Sequence, residues 1–217
     1  MLLKNVSKSM QTIASVLFVS AIASGMVFAQ PVQCDEQSSK TRSNKLCSAP
    51  LQQLRAEYNE QFHTSYLVTD APLQLLADSH KIWQTRLQQC KSLNCYKQQF
   101  SARIEDLNIY SSMNQSLTQH YLKFEHGKIA QPAIHLKLHQ LSKDRIKVEG
   151  FAYRNPNNRL ESQYVPLLAY TTPEEKTAIL DNEHQCNYQL NFQKALLVVK
   201  TTQKGCERFQ GIYRLYD

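Results

Sequence analysis

Residues 70–107 read DAPLQLLADSHKIWQTRLQQCKSLNCYKQQFSARIEDL, and the spacing of their apolar side chains decides the fold of the first half. Leu73, Leu76, His80, Trp83, Leu87 and Cys90 recur at alternating steps of three and four, which on a helix forms one continuous seam. Asp70, Ala71 and Pro72 open that helix, since proline is tolerated in the first turn. A further helix follows from Cys95, with Tyr96, Phe100, Arg103 or Ile104, and Leu107 on one side. Upstream, Ser48, Ala49 and Pro50 repeat the start signal, with Ser48 as the expected N-cap. Leu51, Leu54, Tyr58, Phe62 and Ser65 or Tyr66 then mark an amphipathic helix. About three residues separate these first two helices, so the sequence predicts antiparallel neighbours.

That hairpin constrains the cysteines. Cys90 ends the second helix beside the start of the first, where Cys47 lies, so the expected pairs are Cys47 with Cys90 and Cys34 with Cys95. Four cysteines allow three pairings, and the spacing also permits Cys34 with Cys47 and Cys90 with Cys95. The remaining two, Cys186 and Cys206, bracket a strand hairpin and are paired with each other. An even count without repeated CxxC sets favours disulfides over zinc.

Before residue 30, Lys4 and Lys8 precede an apolar stretch over residues 13–28, and Val27, Phe28 and Ala29 give a small-x-small cleavage pattern. A leader over residues 1–29 is expected, with the mature chain starting at Gln30. Ser15, Ser20, Ser24 and Gly25 interrupt the stretch, which falls short of the roughly 20 apolar residues of a stable anchor. Residues before Cys34 do not form a lipobox. The chain carries 25 basic and 18 acidic residues, a balance of +7, and loss of Lys4 and Lys8 lowers it to +5. Neither a long basic run nor interleaved aromatics accompanies that charge, so no nucleic-acid partner is expected.

After Leu107 the pattern loosens, and residues 108–119 read as a helix end and linker. Ile134, Leu136 and Leu138 then alternate with His135, Lys137 and His139, the period of a half-buried strand. Further strands are expected around residues 146–152, 164–170, 186–192, 196–202 and 208–215, with a turn at residues 155–158; residues 172–181 stay ambiguous. The fold class expected is therefore α+β: a disulfide-stapled helical domain over residues 30–115, then a small antiparallel β barrel or sandwich over residues 116–217.

Few side chains suggest chemistry. His80 occupies a seam position and reads as a packed, hydrogen-bonded histidine. Trp83 reads as a core anchor whose indole N–H needs one acceptor. Arg86 and Arg103 flank the seam and are expected to pair with acidic neighbours. His135 and His139 resemble an HxxxH pair, but on a strand they lie about 13 Å apart, too far for one ion. His120, Glu125 and His126 form a second loose group without a visible supporting shell. No nucleophile elbow, HExxH helix or phosphate loop is present, and five glycines leave few tight catalytic loops. No metal, cofactor or catalytic activity is expected.

The order Leu46, Cys47, Leu51, Leu54, then Trp83, Arg86 and Cys90, then Cys95, Phe100, Arg103, Ile104 and Leu107 resembles the LprI-like lysozyme-inhibitor N-terminal domain family. The resemblance covers roughly residues 34–107. It implies a small exported helical domain of the bacterial envelope and a lysozyme-type muramidase as partner. Arg55, Tyr58, Phe62 and His80 depart from the pattern, which usually has aspartate, leucine, tyrosine and glutamine there. Animal lysozymes are usually basic, so an inhibitor is expected to present negative charge, with Glu57, Glu60, Asp70 and Asp78 as the available acidic face. The competing expectation is a periplasmic adaptor or structural module that binds a protein, glycan or lipid. Partner-binding residues are not named by either reading.

Overall fold

The computed structural model describes Val32, Cys34 and residues 43–112, 115–157 and 164–216. The leader expected over residues 1–29 and the start at Gln30 lie outside the described residues.

Among the described residues four α-helices come first: α1 (Ser43–Leu46), α2 (Gln52–Val68), α3 (Leu73–Gln89) and α4 (Leu93–Ser112). The start signal at Ser48 produces a 3-10 turn over Ala49–Leu51 before α2, and the Ser48 hydroxyl donates back to the Lys45 carbonyl at 2.7 Å instead of capping the turn. Arg55 donates from Nη1 to the carbonyls of Leu46 (2.7 Å) and Ser48 (3.0 Å). An aspartate there would repel both oxygens. Tyr58, Phe62, Trp83 and Phe100 fill the space among the helices, with the Tyr58 and Trp83 rings 4.6 Å apart. These rings hold α3 off from α2, and α2 runs closest to α4.

The cysteines correct the expected pairing. Cys34 bonds Cys47 and Cys90 bonds Cys95, with Cα atoms 5.7 and 5.5 Å apart. The expected neighbourhood does form, since Lys45 Nζ reaches the Lys91 carbonyl at 3.4 Å. The chain nevertheless turns between Gln89 and Leu93 so that Cys95 comes back to Cys90, with their Cα atoms in the ordinary disulfide range. Cys186 and Cys206 are paired as expected. All six cysteines are thus bonded, the pattern of an oxidising compartment.

Nine strands follow among the described residues: β1 (Thr118–Glu125), β2 (Lys128–Ile129), β3 (Ile134–Ser142), β4 (Arg145–Tyr153), β5 (Tyr164–Thr171), β6 (Ala178–Leu180), β7 (Asn187–Gln193), β8 (Leu196–Lys200) and β9 (Gly211–Tyr216). All pairings are antiparallel, in the order β5-β4-β3-β1-β9-β8-β7-β6, with β2 folded back on β1 through His126 and Gly127, both at positive φ. The first and last strands of that order meet at Asp181. Its carboxylate accepts the Leu168 N–H at 3.0 Å, and the next residue's N–H donates to the Leu168 carbonyl at 2.7 Å, so the sheet curls into a nearly closed barrel. Tyr121, Leu136, Val148, Leu167, Leu197 and Tyr213 point inward. Gly150 is required there, because a Cβ would lie 2.8 Å from Leu136 and from Phe209.

Helices and barrel share a core. Ala71, Leu75, Leu76 and Tyr110 pack on Leu122, with Phe124, Ile129 and Tyr216 beside them. No helix among the described residues is long and apolar enough to cross a membrane.

Candidate functional site

The family-motif residues split into two groups. Phe100, Ile104 and Leu107 are buried in the helical core. Trp83 joins them and donates its indole N–H to the Gln99 carbonyl at 2.9 Å. His80 is likewise buried, with Nδ1 at 3.0 Å from the Tyr58 hydroxyl, as a packed histidine requires. Arg86 and Arg103 instead reach out of the helices toward the barrel.

Arg103 has an acidic neighbour, Asp106, on its own helix, whereas Arg86 is met by uncharged groups. Arg86 donates from Nε to Gln99 Oε1 (3.1 Å) and from Nη1 to the Arg154 carbonyl (2.7 Å), and its guanidinium lies 4.5 Å over the Tyr153 ring. Burial pushes its pKa below the ordinary value, with Tyr153 and Asp106 acting the other way. Arg103 donates from Nη2 to Ser79 Oγ at 3.2 Å, while its Nη1 stands 4.0 Å from Asp106 Oδ2, too long for a hydrogen bond. Asp106 is held by the Tyr153 hydroxyl at 2.9 Å, and burial followed by Asp106 itself pushes that phenol well up. These groups enclose a cavity of about 40 Å³ with Ser79, Tyr110 and His135 also in its wall. Beyond Arg86 lies a groove of about 370 Å³ that shares Ile82, Arg86 and Ala133 with the cavity.

A chain of histidines runs along the same interface. β1 and β3 pair His120 with Lys137 and Leu122 with His135, which points His120 and His135 toward the helices on one diagonal. Gln115 Nε2 donates to the Ile109 carbonyl at 3.0 Å, so its Oε1 faces His120 Nε2 at 2.9 Å and accepts from it. His120 Nδ1 is then bare and accepts from His135 Nε2 at 3.2 Å. Burial first, then Lys137 and His139, push His120 down to about 3, and burial holds His135 well below its usual value. Neutral rings at pH 7 are what this directional chain needs. The loose group of His120, Glu125 and His126 does not gather, and among the described residues no three His, Cys, Asp or Glu could hold a metal ion.

The expected acidic face is largely spent on internal bonds. The Asp70 carboxylate accepts the N–H of Gln115 (2.7 Å) and of Ser116 (3.0 Å), and Asp78 accepts the Tyr216 hydroxyl at 3.2 Å while facing Lys81. Only Glu57 and Glu60 stay exposed on α2. At the turn between α2 and α3 the surface is apolar: Leu67 is 84 % exposed, Val68 58 % and Leu73 56 %. That turn is fixed, because the Thr69 hydroxyl accepts the Ala71 N–H at 3.1 Å and Asp70 clamps the segment before β1.

The sequence pattern singles out Arg86 and Arg103 but not Asp106 and Gln99, which lie on α4, nor Tyr153, which meets them only through the docking of strands on helices. The polar Tyr153 at the end of an otherwise alternating strand is the one trace of this in the sequence. Compared with known protein families, with curated proteins and with solved structures, the chain finds no match.

Proposed function

We propose that the chain is an exported, non-catalytic binding protein of the bacterial envelope that seats its α2–α3 turn in a cleft of a partner protein. The supporting observation is the rigid apolar tip formed by Leu67, Val68 and Leu73. Large side chains this exposed and close together mark interaction surfaces more often than ordinary monomer surface, and a fixed tip loses little entropy on docking. The helical motif makes a lysozyme-type muramidase the first partner to test, which would make the protein an inhibitor of the LprI-like type. Purified protein is expected to inhibit lysozyme turnover, and the double variant Leu67→Asp, Val68→Asp is expected to lose that inhibition. Unchanged turnover at large molar excess of the native protein eliminates the muramidase reading for the enzyme tested.

One observation favours the adaptor reading within the same scheme. Of the acidic face expected on the helices, Asp70 and Asp78 are tied into internal hydrogen bonds, which leaves Glu57 and Glu60 as its freely presented charges toward a basic enzyme. A partner from envelope extracts retained by the native protein and not by the double variant would identify that alternative.

A further inference from the structure

We propose that the cavity between α3, α4 and the outer face of the barrel is a binding site for one small, singly charged anion. The wall holds two guanidiniums, Arg86 and Arg103, and one carboxylate, Asp106. Two positive charges against one negative leave one positive charge without a counterpart. The other titratable groups in the wall do not alter that count at pH 7. Burial keeps His135 neutral by lowering its pKa, and keeps Tyr110 and Tyr153 neutral by raising theirs. Lys137, farther along β3, already faces Glu149 at 3.9 Å.

Hydrogen bonding points to the same place. Arg103 is 2 % exposed, and its Nε is buried with no hydrogen-bond partner among the described residues. A buried donor left without a partner beside a cavity marks the position of an ordered water or ion, and uncompensated charge selects the ion, because an unpaired buried cation is costly. Arg103 Nη1 stands 4.0 Å from Asp106 without a hydrogen-bonded acceptor, and Nη2 is already taken by Ser79, so the Nη1 N–H is the charged donor left for a carboxylate or halide in the space. The volume of about 40 Å³ exceeds the roughly 10–15 Å³ that one water-sized probe occupies. A chloride-sized ion or a carboxylate head matches both that room and the single missing charge, whereas sulfate and phosphate are larger and carry a second charge. The shared wall at Ile82, Arg86 and Ala133 leaves two sources for the anion: a free halide, or the head group of a short apolar acid whose tail lies in the groove. The inference does not depend on the partner proposed above.

Crystals grown in sodium bromide test the site directly. An anomalous peak in the cavity within hydrogen-bonding reach of the Arg103 guanidinium is expected, and a cavity holding only water overturns the proposal. In solution, the melting temperature should rise saturably with sodium bromide or chloride but not with sodium sulfate at matched ionic strength. An equal response to sulfate counts against the site. If sodium hexanoate saturates at least tenfold below chloride, the natural ligand is an apolar acid; equal midpoints assign a free halide. Arg86→Met should weaken the halide response at least tenfold. Should that variant fail to fold, the bromide crystal of the native protein decides.

Discussion

Asp181 shows how much one buried carboxylate can organise. It is fully buried, yet its Oδ1 accepts the N–H groups of Leu168 and Glu183 at 3.0 and 3.1 Å, and its Oδ2 accepts the N–H and ring Nδ1 of His184, both at 3.1 Å. A buried charge is tolerable only when its lone pairs are met in this way. The same side chain joins β5 to β6, so losing it both orphans backbone donors and opens the barrel. Asp181→Ala is expected to cost on the order of 2–4 kcal/mol in urea unfolding. Asp181→Asn should cost less, since it keeps an oxygen for Leu168 and Glu183 while turning an amide N–H toward His184. If Asp181→Ala unfolds within about 0.5 kcal/mol of the native protein, the range of an unimportant surface change, the carboxylate does not close the barrel.

At the scale of elements, the helices and most strands were legible because one face of each is buried and the other wet. β3 and β4 follow the alternation from Ile134 and Ile146, and α3 follows its seam from Leu76 to Cys90. β1 was hidden for a physical reason. Tyr121 faces the barrel interior and Leu122 the helices, so both faces of this strand are covered and the alternation disappears. Asp70 does not cap α3, because its carboxylate serves the turn before β1, a partner 45 residues away. Cysteine connectivity failed similarly: α2 and α3 were expected side by side, whereas α2 runs closest to α4 and the chain turns from α3 into α4 through an elbow of a few residues. Of the candidate site, the two arginines were legible through their place beside the seam; Asp106 shares α4 with Arg103, but the groups that hold Arg86 come from other elements and were not legible. Non-reducing peptide mapping should therefore recover Cys90 joined to Cys95 and Cys34 joined to Cys47. A fragment joining Cys47 to Cys90 would instead mean that the elbow is more open than described.

For the whole molecule, the interface between helices and barrel makes stability depend on pH. His120 is packed against Gln115 and against Tyr110 of α4, and beside His135, Lys137 and His139 of β3, with Glu149 of β4 beyond; Arg103 and Asp106 of α4 line the cavity on the His135 side. Its folded pKa, about 3, lies below the unfolded value of about 6.5. Between those values the unfolded chain binds the extra proton and the folded chain does not, so stability rises with pH. The contribution is complete above about pH 6.5 and is lost as pH falls toward 3. Over the 1.5 units from 6.5 to 5, His120 alone should account for a loss of about 2 kcal/mol, and His135 acts in the same direction. Carboxylates with ordinary pKa values titrate mostly below this window, so it isolates the histidines. Urea unfolding at pH 7.5, 6.5, 5.5 and 5.0 should show the native protein weakening on acidification and His120→Gln weakening by about 2 kcal/mol less over the same range. Parallel slopes for the two proteins would mean that His120 is not held neutral in the interface. Because His120 and Gln115 link β1 to the end of α4, the acid-weakened contact is the one that docks helices onto barrel, and loss of far-ultraviolet helix signal should accompany the change in midpoint.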